Sequence, residues 1–175
     1  MVPVVVTFLA LLALVALLAS LALATSLWLT VFRSRFLSQI GPVAANLAWA
    51  VAGVATLGSL YLSEVAGFVP CVLCWIQRGF MYPLVAALAF RRIRRSPLLS
   101  WWALAGAGVS IYHYAIEHIP SLAESDFCDP TVPCSFIWVE EFGFVTIPFM
   151  ALCGFLVIAT LLATHRRWLR GQKTA

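Results

Sequence analysis

Apolar residues run in five long blocks along this chain, separated by short groups of polar residues. The blocks cover roughly residues 4–32, 43–62, 72–90, 98–118 and 146–164. Each meets or approaches the roughly 20 apolar residues that a helix needs to cross a bilayer. The third is marginal in length and carries Arg78 and Pro83. The pattern predicts an all-α polytopic membrane protein with five spanning helices and no soluble domain. Gly41-Pro42 and Ser96-Pro97 mark helix restarts after two short connections, about 33–42 and 91–97. Facing the other way, a brief connection at about 63–70 holds the breakers Gly67 and Pro70. The longest connection, about 119–145, places Phe136, Ile137, Trp138, Val139, Phe142 and Phe144 around Glu140 and Glu141. Such a mixture suits a segment lying at headgroup depth.

Composition agrees with this pattern. The chain is 63% hydrophobic and 10% charged, against about half and a quarter for a soluble domain. Charge adds an orientation. Ten of the eleven basic residues are Arg33 and Arg35; Arg91, Arg92, Arg94 and Arg95; and Arg166, Arg167, Arg170 and Lys173. Five successive spans put all three groups on one side, which the positive-inside rule makes cytoplasmic. The acids Glu64, Glu117, Glu124, Asp126, Asp129, Glu140 and Glu141 map to the other side or its boundary. The N-terminus is expected outside and the C-terminus inside. The net charge of +4 then reflects topology and attraction to anionic lipid, with no call for nucleic acid. Ala22-Leu-Ala24 resembles a signal-peptidase site, but Met1-Val-Pro-Val carries no positive charge and the apolar run continues past Ala24. A retained first helix is expected.

The chemistry lies in two cysteine pairs that this topology puts on the outer side. Cys71-Val-Leu-Cys74 sits where the third helix begins, just after Pro70. Exposed N–H groups at a helix start favour an anion, and the thiolate is the reactive form of cysteine. Arg78, four residues after Cys74, projects from the same face. A cation about 4 Å from a thiolate contributes about 4 kcal/mol at an effective dielectric of 20, so Arg78 is expected to hold Cys74 ionised at neutral pH and to attract an electron-rich acceptor. Cys128 and Cys134 enclose five residues including Pro130 and Pro133, which limit the loop and can hold the sulfurs together. Each pair also has a plain structural reading as a loop staple, and Cys-x-x-Cys spacing serves zinc sites as well. Three functions are therefore open from the residues: a dithiol relay, a metal-binding or metal-transport protein, and a scaffold braced by disulfides. His118 is a candidate cofactor contact near the outer interface, whereas His113 reads as a helix–helix hydrogen bonder. Cys153, alone in the last span, reads as packing, and Trp75 and Tyr82 read as interface and packing residues rather than ligand contacts.

These residues also carry a resemblance. Cys71-Val-Leu-Cys74-Trp-Ile-Gln-Arg78, Met81-Tyr-Pro83, Tyr112-His-Tyr114, Cys128/Cys134 and Phe142-Gly-Phe-Val-Thr-Ile-Pro148 occur in the order found in the bacterial disulfide-bond formation protein B family, especially its BdbC-like branch. The resemblance covers about residues 43–164 and implies a four-helix membrane bundle. By that resemblance the chain reoxidises a soluble thioredoxin-like thiol oxidase of the DsbA or BdbD type and passes the electrons to ubiquinone or menaquinone. It thereby supports disulfide formation in exported proteins at the bacterial cell membrane. Cys128 would form the mixed disulfide with the partner, Cys134 would exchange with Cys71, and Cys74 would face the quinone beside Arg78 and His118. Residues 1–33 are then an extra N-terminal helix ahead of a redox domain of 34–175. Vitamin K epoxide reductase relatives share the electron flow, but in them the loop pair precedes the Cys-x-x-Cys.

Overall fold

A computed structural model describes residues 2–28, 30–123, 128 and 131–172, and the side chains of 30–36, 120 and 123 lie outside that description. Glu124, Asp126, Asp129, Pro130 and Lys173 also fall outside it, as do the side chains of Arg33 and Arg35. The elements in order are α1 (Val2–Trp28), α2 (Thr30–Leu60) continuing into a π-helical turn (Tyr61–Val65), α3 (Val72–Ala89), a 3-10 turn (Ile93–Arg95), α4 (Pro97–His118), the single turn α5 (Pro120–Ala123) and α6 (Ile147–Gly171).

Helix α6 is the axis of the bundle, with α1, α2 and α4 packed around it. Small residues make the close approach possible. Ala44, Ala48 and Ala52 recur every four positions on α2, and Ala103 and Ala107 line α4; all are buried. Between membrane helices, where lipid is as apolar as the side chains, such stripes bring backbones into van der Waals range. Gly106 shows how tight the fit is: a Cβ there would stand 2.5 Å from the Phe155 ring. Phe155, Ile158 and Leu162 of α6 complete the core against Leu84 and Leu88 of α3.

One expectation changes and a second stands in part. The connection expected at 33–42 is helical, and α2 runs through Pro42 without a break. Proline removes one N–H and crowds the carbonyl four residues back, at a cost of about 3 kcal/mol in a helix interior. Tertiary packing holds this turn: Gly41 lies directly against the Trp168 indole, and His165 Nδ1 donates to the Gly41 carbonyl at 2.9 Å. Neighbouring groups of this kind re-satisfy a proline-disturbed membrane helix. Second, four helical stretches are long and apolar enough to cross a membrane, namely Val2–Trp28, Leu37–Val65, Val72–Ala89 and Ile147–Gly171. The fifth expected span, α4, has 22 residues but not the apolarity. It carries Ser100, Ser110 and His113, which are turned inward and buried, so its polar content meets protein.

Other boundaries follow the expected chemistry. Ser96 caps α4 by accepting from the Leu98 N–H at 3.2 Å, with Pro97 in the first turn. At one end of the bundle Arg167 donates to the Leu27 carbonyl at 2.7 Å, and Arg94 holds Asn46 and the Leu88 carbonyl. At the other end the Thr7 hydroxyl donates to Glu141 at 3.4 Å, beside the long connection that carries the second cysteine pair. Phe142 and Gly143, both at positive φ, turn that connection back so that Glu141 and Val145 pair before α6 begins.

Candidate active site

Cys71 occupies the N-cap of α3, and its Sγ accepts the Cys74 N–H at 3.4 Å. The two sulfurs share a hydrogen bond at 3.1 Å. Cys71 is buried and Cys74 half-buried. The Cys74 thiol first, and His113 after it, hold the Cys71 thiol well below its ordinary pKa, against the opposing effect of burial. The sulfur anion thus belongs to Cys71 and is held by the Cys74 thiol and His113, whereas the sequence assigns it to Cys74 beside Arg78.

His113 is 2% exposed, with Nε2 3.5 Å from Cys71 Sγ. Its tautomer follows from a chain of contacts. The Ser110 hydroxyl donates to the Gly106 carbonyl at 3.0 Å, so it accepts from Gln77 Nε2 at 2.8 Å. That fixes the Gln77 amide with Oε1 toward His113 Nδ1, at 3.4 Å. Nδ1 therefore carries the proton, and the Nε2 lone pair faces the Cys71 sulfur. His113 does bond across helices, as expected, but its second nitrogen addresses the reactive thiol. The sequence held a signal for this. Ser110, His113 and Glu117 form a polar stripe at i, i+3 and i+7 in an apolar helix. Glu117 lines the same small recess as Cys71, Cys74 and His113, and its Oε2 is buried without a partner among the described residues.

Cys128 and Cys134 form a disulfide with their Cα atoms 5.8 Å apart. Cys134 is 2% exposed and packs in one cluster with Cys71, Leu73 and Ile116; Cys74 and Cys128 border that cluster. The fold thus gathers all four sulfurs at one end of the bundle.

A cavity of about 470 Å³ opens on the far side of Cys74. Its lining is almost wholly hydrocarbon, with Cys74, Gln77, Arg78, Ser59 and Ser63 as the polar exceptions. Cys71 does not reach it. Arg78 Nε donates to the Ser59 hydroxyl and Nη2 to the Ser59 carbonyl, each at 3.0 Å. The guanidinium also lies 5.1 Å from the Trp75 ring centroid, so Trp75 is the platform for the cation and not a plain packing residue. Ser59 stands just before the π-helical turn that ends α2, an irregularity common at functional sites. Tyr82 packs against the core as expected and also lines the cavity. His118 is placed elsewhere: it is exposed, its Nδ1 donates to the Tyr114 carbonyl at 3.0 Å, and it does not line the cavity. Cys153 is fully buried, a packing residue. Cys71, Cys74 and His113 are the described residues able to present three ligand atoms, all within 4.8 Å of one another, to a thiophilic ion.

Comparison with known proteins matches this arrangement. The family model "Disulfide bond formation protein DsbB" matches residues 42–165. The "Probable disulfide formation protein C 1" of Bacillus cereus (strain ATCC 10987) is 46% identical over 116 residues, covering 64% of this chain and 84% of that protein. The "Disulfide bond formation protein C" of Bacillus subtilis (strain 168) is 40% identical over 130 residues, 72% of this chain and 91% of the relative. A "Probable disulfide formation protein" of Coxiella burnetii is 41% identical over 120 residues, 66% and 82% of the two chains. No solved structure matches the chain at a significant level. With a dithiol at a helix start, a loop disulfide packed on it and a family match across both, the chain belongs to the disulfide bond formation protein DsbB family.

Proposed function

We propose that this protein is a membrane dithiol:quinone oxidoreductase that reoxidises a soluble, extracytoplasmic thioredoxin-like thiol oxidase. The supporting observation is the division of labour within the first pair. Cys71 packs with Cys134, whereas Cys74 opens onto the apolar cavity beside Arg78. A relay needs that asymmetry: one sulfur turned toward the donor and the other toward the acceptor.

A partner thiolate attacks Cys128, the less buried sulfur of the loop disulfide, and Cys134 leaves as the thiolate. Cys134 attacks Cys71, breaking its bond to Cys74 and leaving Cys74 as a thiolate at the cavity. The partner's second thiol then attacks the mixed disulfide and frees Cys128, Cys128 closes on Cys134 and releases Cys71, and the Cys71/Cys74 pair is left reduced; two electrons and two protons have left the partner dithiol. His113 Nε2 takes or returns the proton at Cys71 Sγ as that sulfur cycles between thiol and disulfide, and Gln77 and Ser110 hold the ring in the accepting tautomer. The cavity fits a quinone, since its lining is apolar and its few polar groups cluster at Cys74, Arg78 and Ser59. A quinone bound there supplies the two-electron, two-proton sink. Arg78, anchored on Ser59, supplies the positive charge that favours an electron-rich ring at that end. We place the cysteine end outside the cytoplasm, with α4 as a fifth span and the basic clusters inside.

The test is partner-driven quinone reduction by purified variants. Cys71→Ser and Cys74→Ser should each abolish it, and full retention in either would end the reading. A second reading, a thiophilic metal site, draws on the three convergent ligand atoms. Stoichiometric zinc or copper in the purified protein, with Cys71 and Cys74 persistently reduced, would favour it.

A further inference from the structure

We infer that α1, which precedes every residue in the family match, forms one wall of the acceptor site and receives the isoprenoid tail of the quinone. This rests on the quinone reading above and adds where the rest of the molecule lies. The cavity is elongated. At one end stand Cys74, Arg78 and Ser59, level with Leu9 of α1, whose methyls would come within 3.1 Å of a Cβ at Gly58. From there the lining follows α1 through Leu12, Ala16 and Ala19 to Leu23, four turns or about 20 Å of helix. Leu47 of α2 and Leu161 of α6 border it as well. A compact polar end continuous with a long hydrocarbon trough is the shape of an amphiphile with a small head and an extended apolar chain.

The composition of α1 fits this role. Its lipid face carries large side chains, with Val4, Phe8, Leu11, Leu18 and Leu21 all exposed. Toward the cavity it turns Ala13, Ala16 and Ala19, three positions apart on one face. Leucine at those positions would fill the trough. The family match spans 42–165, so the wall that α1 provides is specific to chains that carry this helix. Its consequence is preference for acceptor tail length.

The test uses the full-length protein in nanodiscs and a quinone with a photoreactive group on its isoprenoid tail. Illumination should label α1 within residues 12–23, and unlabelled long-tailed quinone should compete the label away. Labelling confined to α2, α3 or α6 overturns the inference. So does α1 labelling that phospholipid displaces and quinone does not, since the trough then holds an acyl chain. In kinetics, Ala16→Trp should lower kcat/KM for a long-tailed quinone relative to a tail-less one by about tenfold or more, the scale of one methylene lost from an apolar pocket. Leu18→Trp, on the lipid face, should leave that ratio unchanged. An unaltered ratio in Ala16→Trp, with an active wild type, refutes the wall. A wild type that reduces no quinone refutes the functional reading itself.

Discussion

Replacing His113 by leucine removes the one basic side chain that touches Cys71 among the described residues, while keeping similar volume at a site that is 2% exposed. Once Nε2 has taken the Cys71 proton it donates back to the thiolate, and a hydrogen bond between charged partners is worth about 1.5–3 kcal/mol. At about 1.36 kcal/mol per pKa unit, its loss should raise the Cys71 pKa by roughly 1 to 2. A full charge on the ring at this separation sets a ceiling near 5 kcal/mol at an effective dielectric of 20. The sign follows from the direction of the perturbation. Cys71 is held below its ordinary pKa, so its thiolate is populated through neutral pH and lost as pH falls through the lowered value. In His113→Leu that loss should begin at higher pH. The assay is alkylation of the fully reduced protein by iodoacetamide from pH 4 to 9, with the Cys71 peptide followed by mass spectrometry. On the acid limb the variant should react about 10- to 100-fold more slowly than wild type. Gln77→Leu leaves the ring in place but frees its tautomer, and should shift the limb less. If the limb does not move in His113→Leu, the imidazole does not stabilise the thiolate and its proposed role is wrong.

Other consequences are simpler to read. Arg78→Lys keeps the charge but loses the two-point anchor on Ser59 and the flat stack on Trp75. It should raise the quinone KM about tenfold or more while leaving exchange between the cysteine pairs intact, as rapid-quench mapping would report. Gly106→Ala drives a methyl into the Phe155 ring and should destabilise the α4–α6 contact by about 1–3 kcal/mol, seen as a lower Tm in detergent. Cys153→Ala should retain full partner-dependent quinone reduction, because the thiol is buried in α6 away from both pairs.

What could be read from the sequence and what could not divide along physical lines. Hydropathy and charge are one-dimensional signals, and they located the helices and put Cys71, Cys74, Cys128 and Cys134 on one side. Pro70 and Ser96 announced two helix starts through local capping and turn chemistry. Pro42 misled for the same reason: its local preference is to break a helix, and only the Trp168 and His165 contacts from α6 keep the turn intact. From the sequence His113 reads only as a helix–helix hydrogen bonder, because its sulfur partner is 42 residues away and only the crossing of α3 and α4 joins them. The polar stripe of Ser110, His113 and Glu117 was visible, but spacing alone names no partner. His118 drew attention for its depth, yet the structure turns it outward onto Tyr114. The contribution of α1 to the cavity lay beyond a uniformly apolar block, in which side-chain size alone, small at Ala13, Ala16 and Ala19, marks one face as different.

The most direct test of the electron path is to capture the link between the two pairs. In the quinone-free wild type with both pairs oxidised, a thioredoxin-like partner reduced to a single thiol by serine at its second cysteine should open Cys128–Cys134 and drive Cys134 onto Cys71, releasing Cys74 as a thiol with no acceptor for its electrons. Acid quenching followed by peptide mapping should recover a Cys71–Cys134 disulfide together with Cys128 bonded to the partner. Recovery of a partner–Cys71 disulfide with Cys128–Cys134 still intact would contradict the path, because electrons would then bypass the loop pair.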